Sequence, residues 1–134
     1  MSVWYLDSSA IVKLVLHEAE TDALLGWRAS AEPEDRFATC ELAVTEVLRA
    51  VGRVAPDLHD VALEHVDRLD QLTVDRDLLL AAGRLPPPAM RSLDAVHLAA
   101  AASLEGSLGG VVTYDERMAE AARSLGFEVL APVP

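Results

Sequence analysis

The feature of this sequence that most constrains its fold is the apolar run Val3–Leu6, which is followed directly by Asp7. A continuous apolar run, without polar alternation, is typical of a strand buried on both faces in a parallel sheet covered by helices. Asp7 would then lie at the carboxyl end of the strand, where ligands bind in open α/β sheets. We predict that Ser8 or Ser9 caps the following helix, residues 10–16, by accepting a free backbone N–H. The alternative is that Asp7 serves only as this cap.

Strands and helices alternate along the rest of the chain, which indicates a parallel sheet with helices on both faces. The sequence contains no internal repeat and no domain linker, so we predict a single three-layer α/β/α domain that comprises residues 1–134. Apolar residues at helical spacing and the positions of Gly, Pro and capping residues delimit the segments. The predicted strands are 3–6, 36–39, 71–74, 110–114 and 127–130, and the predicted helices are 10–16, 18–31, 41–54, 58–69, 76–85, 93–104 and 116–125.

The composition agrees with one packed domain, because 51% of the 134 residues are hydrophobic and 25% are charged. No apolar run approaches the roughly 18–20 residues that cross a bilayer, and the N-terminus does not have the pattern of a signal peptide. We therefore expect no association with a membrane. The single Cys40 cannot form an internal disulfide, and we expect it to be a buried, reduced thiol in a cytoplasmic protein.

The net charge of the chain restricts its partners. A formal charge of −11, from 22 acidic and 11 basic residues, is unusual for a protein that binds nucleic acid through its phosphates. Either nucleic acid is not the ligand, or bound cations and a few arginines provide the neutralising charge. The same excess of acidic residues favours a basic protein partner.

Three acidic residues occupy the same kind of position in the predicted elements. Asp7 and Asp115 each follow a predicted strand, and Asp94 lies in the first turn of a predicted helix. Strand carboxyl ends and helix N-termini share one edge of a parallel sheet, so we expect the three carboxylates to converge. Glu46 is the fourth candidate, because it lies beside the apolar stripe of its helix and not on the solvent face. Glu41, in the first turn of that helix, would help only by opposing the helix dipole.

A cluster of carboxylates favours metal chemistry. The negative charges repel one another unless a positive charge lies among them. Hard oxygen ligands select Mg²⁺ or Mn²⁺, and a cation of this kind with a bound water can hydrolyse a phosphodiester bond. Each acid also has a structural interpretation, since Asp94 can stabilise a helix N-terminus through its charge and Asp115 can cap the helix that follows it.

Three residues near the acids have both a functional and a structural interpretation. Thr113 either supports the site or is a β-branched residue of an ordinary strand. Arg49 either contacts a phosphate or pairs only with Glu46. His97 is either a metal ligand or, as we prefer, a hydrogen-bonded histidine of the core.

Four segments of the chain, in this order and spacing, resemble the PIN-domain ribonucleases, and within them the VapC-type toxins of bacterial toxin–antitoxin pairs. The segments are 5–14 (YLDSSAIVKL), 41–50 (ELAVTEVLRA), 93–101 (LDAVHLAAA) and 112–118 (VTYDERM), which together extend over nearly the whole chain. The chain departs from the family pattern before the second segment, where Thr39 and Cys40 stand at the position of a serine that many relatives carry.

The resemblance implies Mg²⁺ or Mn²⁺ as cofactor and an acidic quartet that falls on Asp7, Glu46, Asp94 and Asp115. It also implies endonucleolytic cleavage of single-stranded or looped RNA, a homodimer, and a small antitoxin whose basic tail enters the acidic site. In this interpretation the three aspartates hold the metal, Glu46 binds it directly or through water, and Ser8 or Thr113 orients the ligands.

Two other functions stay open at the level of sequence. A phosphatase of the haloacid-dehalogenase type also has an aspartate nucleophile at the end of its first strand, but that chemistry uses a second acid two residues later, where this chain has Ser9. A non-catalytic binding module would retain the fold without turnover. The presence of all four acids argues against such a module, which would not require a divalent ion.

Overall fold

The structure is a computed structural model that describes all 134 residues, and its centre is a five-stranded sheet in the order β3-β2-β1-β4-β5. Every neighbouring pair of strands is parallel. The fold class predicted from the sequence is therefore confirmed. The strands are β1 Val3–Leu6, β2 Arg36–Cys40, β3 Asp70–Leu72, β4 Leu108–Val112 and β5 Val129–Leu130.

Helices cover the sheet, and their ends differ from the predicted ends by no more than a few residues. Short 3₁₀ turns lie at Pro56–Leu58 and Glu105–Ser107. No helix combines the length and the apolar character that a membrane span requires. The α-helices are α1 Ser8–Val15, α2 Thr21–Ala29, α3 Leu42–Val54, α4 His59–Asp67, α5 Arg76–Gly83, α6 Ser92–Ala102 and α7 Glu116–Ser124.

Apolar side chains form one main core on each face of the sheet, and β1 contributes to both. Alternate residues of a strand point to opposite faces. Leu6 packs with residues of α1, α3 and α4, whereas Tyr5 packs with residues of α6 and α7. A central strand with both faces covered needs apolar residues at consecutive positions, which explains the apolar run at the start of the chain.

The start of α1 differs from the prediction. Asp7 is the N-cap, with extended backbone (φ −81°, ψ 178°), and its side chain accepts the N–H of Ala10 at 3.1 Å. The helix begins at Ser8, so the prediction that Ser8 or Ser9 caps it is wrong. Asp7 can cap this helix and still take part in a site, because a carboxylate has two oxygens and the cap uses one of them.

β4 ends at Val112, two residues before the predicted end. On one side its neighbour β5 ends at Leu130, so β4 has no strand partner beyond that point. The last hydrogen bond between the two segments runs from the Thr113 N–H to the Leu130 carbonyl at 3.0 Å. On the other side, the Asp7 N–H donates to the Val112 carbonyl at 3.2 Å. Asp7 and Thr113 therefore lie next to each other at the carboxyl edge of the sheet, and Thr113 leads into the N-cap Asp115.

Candidate active site

Asp7 is an almost fully buried carboxylate, with 3% of its surface exposed. Its Oδ1 accepts hydrogen bonds from Ser9 Oγ at 2.6 Å and from the Ala10 N–H at 3.1 Å, and its Oδ2 accepts one from Thr113 Oγ1 at 2.5 Å. Burial raises the pKa of Asp7, and the hydrogen bonds and the nearby His97 offset only part of that effect. A cation beside this carboxylate would favour its ionised form.

Two hydroxyl groups connect the ends of β1 and β4. Thr113 Oγ1 accepts the N–H of Asp115 at 3.1 Å and lies 3.3 Å from Ser9 Oγ. Ser9 Oγ in turn accepts the N–H of Tyr114 at 2.9 Å. Thr113, one of the predicted supporting residues, thus contacts two of the four candidate acids. Ser9 was predicted as a helix cap and not as a residue of the site, although its position two residues after Asp7 brings its hydroxyl within reach of that carboxylate.

Glu46 lies on α3 and is fixed by two neighbours. Its Oε1 accepts a hydrogen bond from Ser8 Oγ and pairs with His97 Nε2, each at 2.6 Å. Partial burial alone would raise the pKa of Glu46, but the hydrogen bonds of His97 and Ser8 outweigh it and hold the pKa below its ordinary value. Glu41 has a structural role instead, since its Oε1 accepts the N–H of Val74 at 2.9 Å.

His97 uses both ring nitrogens inside the protein. Nε2 pairs with Glu46, and Nδ1 lies 2.7 Å from the hydroxyl of Tyr5. Burial opposes a charge on this ring, but hydrogen bonds with Cys40 and Glu46 outweigh burial and raise the pKa of His97 to about 10. The ring has no free nitrogen for a metal, so the interpretation of His97 as a hydrogen-bonded core histidine fits the structure.

Arg91 connects the other two acids. Its Nε donates to Asp94 Oδ2 at 2.7 Å, and its Nη2 donates to Asp115 Oδ2 at 3.0 Å. Asp115 also caps α7, because its Oδ1 accepts the N–H groups of Arg117 and Met118. Burial would raise the pKa of Asp115, but the helix N–H groups and Arg91 together hold it below its ordinary value.

Arg91 is a residue of the site that was not predicted from the sequence. The sequence feature that could have indicated Arg91 is its position three residues before Asp94, since this spacing brings two side chains together at the start of a helix. Asp94 itself lies in the first turn of α6, as predicted, and only 7% of its surface is exposed.

All four predicted acids lie on segments that meet at the carboxyl edge of the sheet. Hydrogen bonds to shared neighbouring residues divide them into two groups. One group contains Asp7, Asp115 and Asp94, and the other contains Glu46. No three His, Cys, Asp or Glu side chains lie close enough together in this structure to hold a metal ion between them.

The donor set nevertheless fits Mg²⁺ or Mn²⁺. Mg²⁺ usually binds through one or two carboxylates and keeps several waters, so it does not require an enclosing cage. All the candidate ligands are carboxylate oxygens, which are hard donors. The guanidinium of Arg91 between Asp94 and Asp115 indicates that this pair of carboxylates accommodates a positive charge.

A groove of about 570 Å³ opens next to Glu46. Two arginines of α3, Arg49 and Arg53, lie along it, and both are exposed and form no ion pair. The structural interpretation of Arg49, that it pairs only with Glu46, is therefore wrong. The groove also contains Ser8 and Ser9, so it runs from Glu46 and the start of α1 to two free cationic side chains.

Comparison with known proteins identifies the family. The sequence-family model of the PIN domain matches residues 4–124 of this chain. Ribonuclease VapC46 of Mycobacterium tuberculosis is 46% identical over 98% of this chain and 99% of its own length, and Ribonuclease VapC35 of the same species is 41% identical over 96% of both chains. The chain therefore belongs to the PIN domain family and, within it, to the VapC-type ribonucleases.

Solved structures of low sequence identity share the fold. The sarcin–ricin loop cleaving toxin VapC20 of Mycobacterium tuberculosis has a TM-score of 0.70 at 17% identity, covering 96% of this chain and 99% of that one. VapBC2 of Rickettsia felis, bound to a DNA fragment from its promoter, has a TM-score of 0.72 at 12% identity, covering 96% of this chain and 97% of that one. A toxin–antitoxin complex from Klebsiella pneumoniae has a TM-score of 0.68 at 13% identity, covering 98% of each chain.

Proposed function

We propose that this VapC-type ribonuclease is the toxin of a toxin–antitoxin pair and cleaves single-stranded or looped RNA endonucleolytically with the help of Mg²⁺ or Mn²⁺. The observation that carries the proposal is the set of four acids on segments at the carboxyl edge of the sheet, of which Glu46 lines a groove with two unpaired arginines. An open groove suits a polymer, whereas a small substrate is usually held in an enclosed pocket.

The residues have distinct roles in this proposal. Asp7, Asp94 and Asp115 would hold the cation, and Glu46 would bind it directly or through water. When bound, the cation supplies polarisation of the phosphate and activation of a water molecule. Thr113 and Ser9 hold the two oxygens of Asp7 in place by hydrogen bonds.

The arginines of the groove compensate for the acidic composition of the chain. Arg49 and Arg53 would contact phosphates of the RNA along the groove, since neither is neutralised by a carboxylate of the protein. The bound cation adds positive charge where the carboxylates lie. A protein with a net charge of −11 can bind RNA in this way because the bound cation and the two unpaired arginines provide positive charge at the site itself.

The proposed partners follow from charge and from the family. The acidic site favours a small antitoxin with a basic tail, and solved structures with the same fold include toxin–antitoxin complexes. A homodimer is part of the proposal because the family resemblance implies it. We also propose the cytoplasm as the site of action, since Cys40 is a buried free thiol.

The test is cleavage of a mixed pool of structured RNAs by the purified protein, with Mg²⁺ or Mn²⁺ and with a chelator. Asp7→Asn and Asp94→Asn are the site variants, and Asp60→Asn, an exposed acid of α4, is the matched control. Cleavage that requires metal, disappears in both site variants and persists in the control supports the proposal. Cleavage that persists in the site variants refutes the site assignment. Wild-type protein that neither cuts RNA nor binds Mn²⁺ favours a non-catalytic module.

A further inference from the structure

Two consecutive hydrogen bonds in the interior of the protein connect Tyr5 on β1, His97 on α6 and Glu46 on α3. The hydroxyl of Tyr5 lies 2.7 Å from His97 Nδ1, and His97 Nε2 lies 2.6 Å from Glu46 Oε1. Tyr5 is 0% exposed and His97 is 2% exposed, so solvent does not compete for these hydrogen bonds. This series of hydrogen bonds ends at Glu46, which lines the groove.

The His97 ring is held in one orientation by its surroundings. The tyrosine ring packs against it edge-on, with 5.8 Å between the ring centroids and 73° between the planes. Cys40 Sγ lies 3.8 Å from Nδ1 on the same side. With one nitrogen directed to Tyr5, the other nitrogen is directed to Glu46, and a rotation of the ring would break both contacts.

Glu46 has one occupied oxygen and one free oxygen. Ser8 and His97 both bond to Oε1, and no protein group donates to Oε2. The carboxylate is therefore fixed from the core side, and Oε2 remains available to a ligand at the site. Ser8 is partly exposed, so His97 is the rigid one of the two neighbours.

We infer that His97 is a positioning residue that holds Glu46 in the orientation in which its free oxygen serves the cation or its water. This inference rests on the proposed function, because it concerns the role of Glu46 in that site. Ligand-supporting partners of this kind typically change metal affinity or activity by about 10–100-fold when they are removed. α6 would then serve the site twice, through Asp94 directly and through His97, one turn later, by way of Glu46.

A matched pair of substitutions separates positioning from packing. In His97→Gln the terminal amide reaches the place of Nε2 and can still donate to Glu46, whereas in His97→Asn it reaches only the place of Nδ1. Both replace the ring by an amide, so a purely structural histidine would respond alike to both. Folding of each variant is checked by circular dichroism and thermal unfolding before any comparison.

The readout is Mn²⁺ affinity by calorimetry, followed by kcat and KM for RNA cleavage. We expect His97→Asn to bind Mn²⁺ about 10–100-fold more weakly and His97→Gln to stay within about threefold of wild type. The cleavage defect should appear in kcat, with KM for RNA unchanged. Folded His97→Asn with wild-type Mn²⁺ affinity overturns the inference, and so does an equal loss in both variants.

Two further measurements keep the inference testable in all cases. If His97→Asn does not fold, Tyr5→Phe is used instead, because it removes the hydrogen bond at His97 Nδ1. This variant should weaken Mn²⁺ binding about threefold to tenfold. Unchanged Mn²⁺ affinity in Tyr5→Phe overturns the inference. If wild-type protein binds no Mn²⁺ and cuts no RNA, the proposed function fails. The pairing is then tested by NMR of the His97 side-chain nitrogens, which must respond to Glu46→Gln and not to Asp60→Asn; no response to Glu46→Gln overturns it.

Discussion

Thr113→Val is the substitution with the most clearly defined effect on stability. Valine has nearly the shape of threonine but lacks the hydroxyl that bonds to Asp7 Oδ2. No other protein group donates to that oxygen, and Asp7 is 3% exposed, so the substitution leaves a buried carboxylate oxygen without a donor. The same hydroxyl accepts the N–H of Asp115, which loses its partner as well.

The magnitude follows from these two losses. A hydrogen bond to a charged group contributes about 1.5–3 kcal/mol, and a neutral one about 0.5–1.5 kcal/mol. Since water can reach the Asp115 end, we expect a total of about 2–4 kcal/mol. For a domain of this size, each kcal/mol shifts Tm by about 3–4 °C, so Tm should fall by roughly 6–16 °C.

The assay is thermal unfolding in a chelator, which prevents a bound cation from compensating for the lost hydrogen bond. Thr113→Ser is the matched control, because it keeps the hydroxyl and loses one methyl group, at a cost of about 1 kcal/mol. A Tm for Thr113→Val within about 2 °C of wild type would refute the argument. A larger loss in Thr113→Ser than in Thr113→Val would show that packing of the methyl group, and not the hydroxyl, is the main stabilising contribution of Thr113, because the valine variant keeps that methyl group.

Three other predictions concern separate parts of the chain. Arg49→Gln should raise KM for RNA and reduce the salt dependence of binding by about one unit of slope, with a change in stability below about 0.5 kcal/mol; an unchanged slope would remove Arg49 from the interface. Asp70→Asn should cost less than about 1 kcal/mol at pH 7, because the ion pair with Arg36 is largely exposed. Arg36 lowers the pKa of Asp70 in the folded protein. The ion pair therefore stabilises the fold above the ordinary carboxyl pKa, and this stabilisation is lost as the pH falls through the folded pKa of Asp70. Urea titrations of wild type and Asp70→Asn should agree in strong acid and differ at neutral pH. Gly26→Ala, in the exposed part of α2 with no atom within 4 Å of the new methyl group, should stabilise the protein by about 0.5–1 kcal/mol in the same titration, and a loss would indicate strain at this position.

The positions of the four acids could be predicted from sequence because they depend on local pattern. An apolar run followed by Asp7, or a capping residue followed by a helical pattern, indicates where an element ends. In a parallel sheet these ends share one edge, so the placement of Asp94 and Asp115 near Asp7 needs only the order of elements. Thr113 was predicted within a strand that ends at residue 114, and in the structure it directly follows β4, which ends at Val112.

The contacts between these residues could not be predicted in the same way. Arg91 bridges Asp94 and Asp115, which are 21 residues apart, and His97 reaches Glu46 from another helix. Such pairings depend on the rotation of each helix about its axis and on side-chain rotamers, which packing against the sheet decides. The cap of α1 is a related case, since Asp7, Ser8 and Ser9 are all capable caps and the end of β1 selects among them.

The sequence by itself determined the alternation of strands and helices, the parallel sheet and the residues available at its carboxyl edge, because hydrophobic burial and backbone capping act over a few neighbouring positions. Tertiary structure alone decided which oxygen of each carboxylate is occupied. Asp7 Oδ2 is bonded to Thr113 and Glu46 Oε1 to His97, while Glu46 Oε2 stays free. These assignments require atoms from strands and helices far apart in the chain to meet within hydrogen-bond distance, and only the packed fold brings them there.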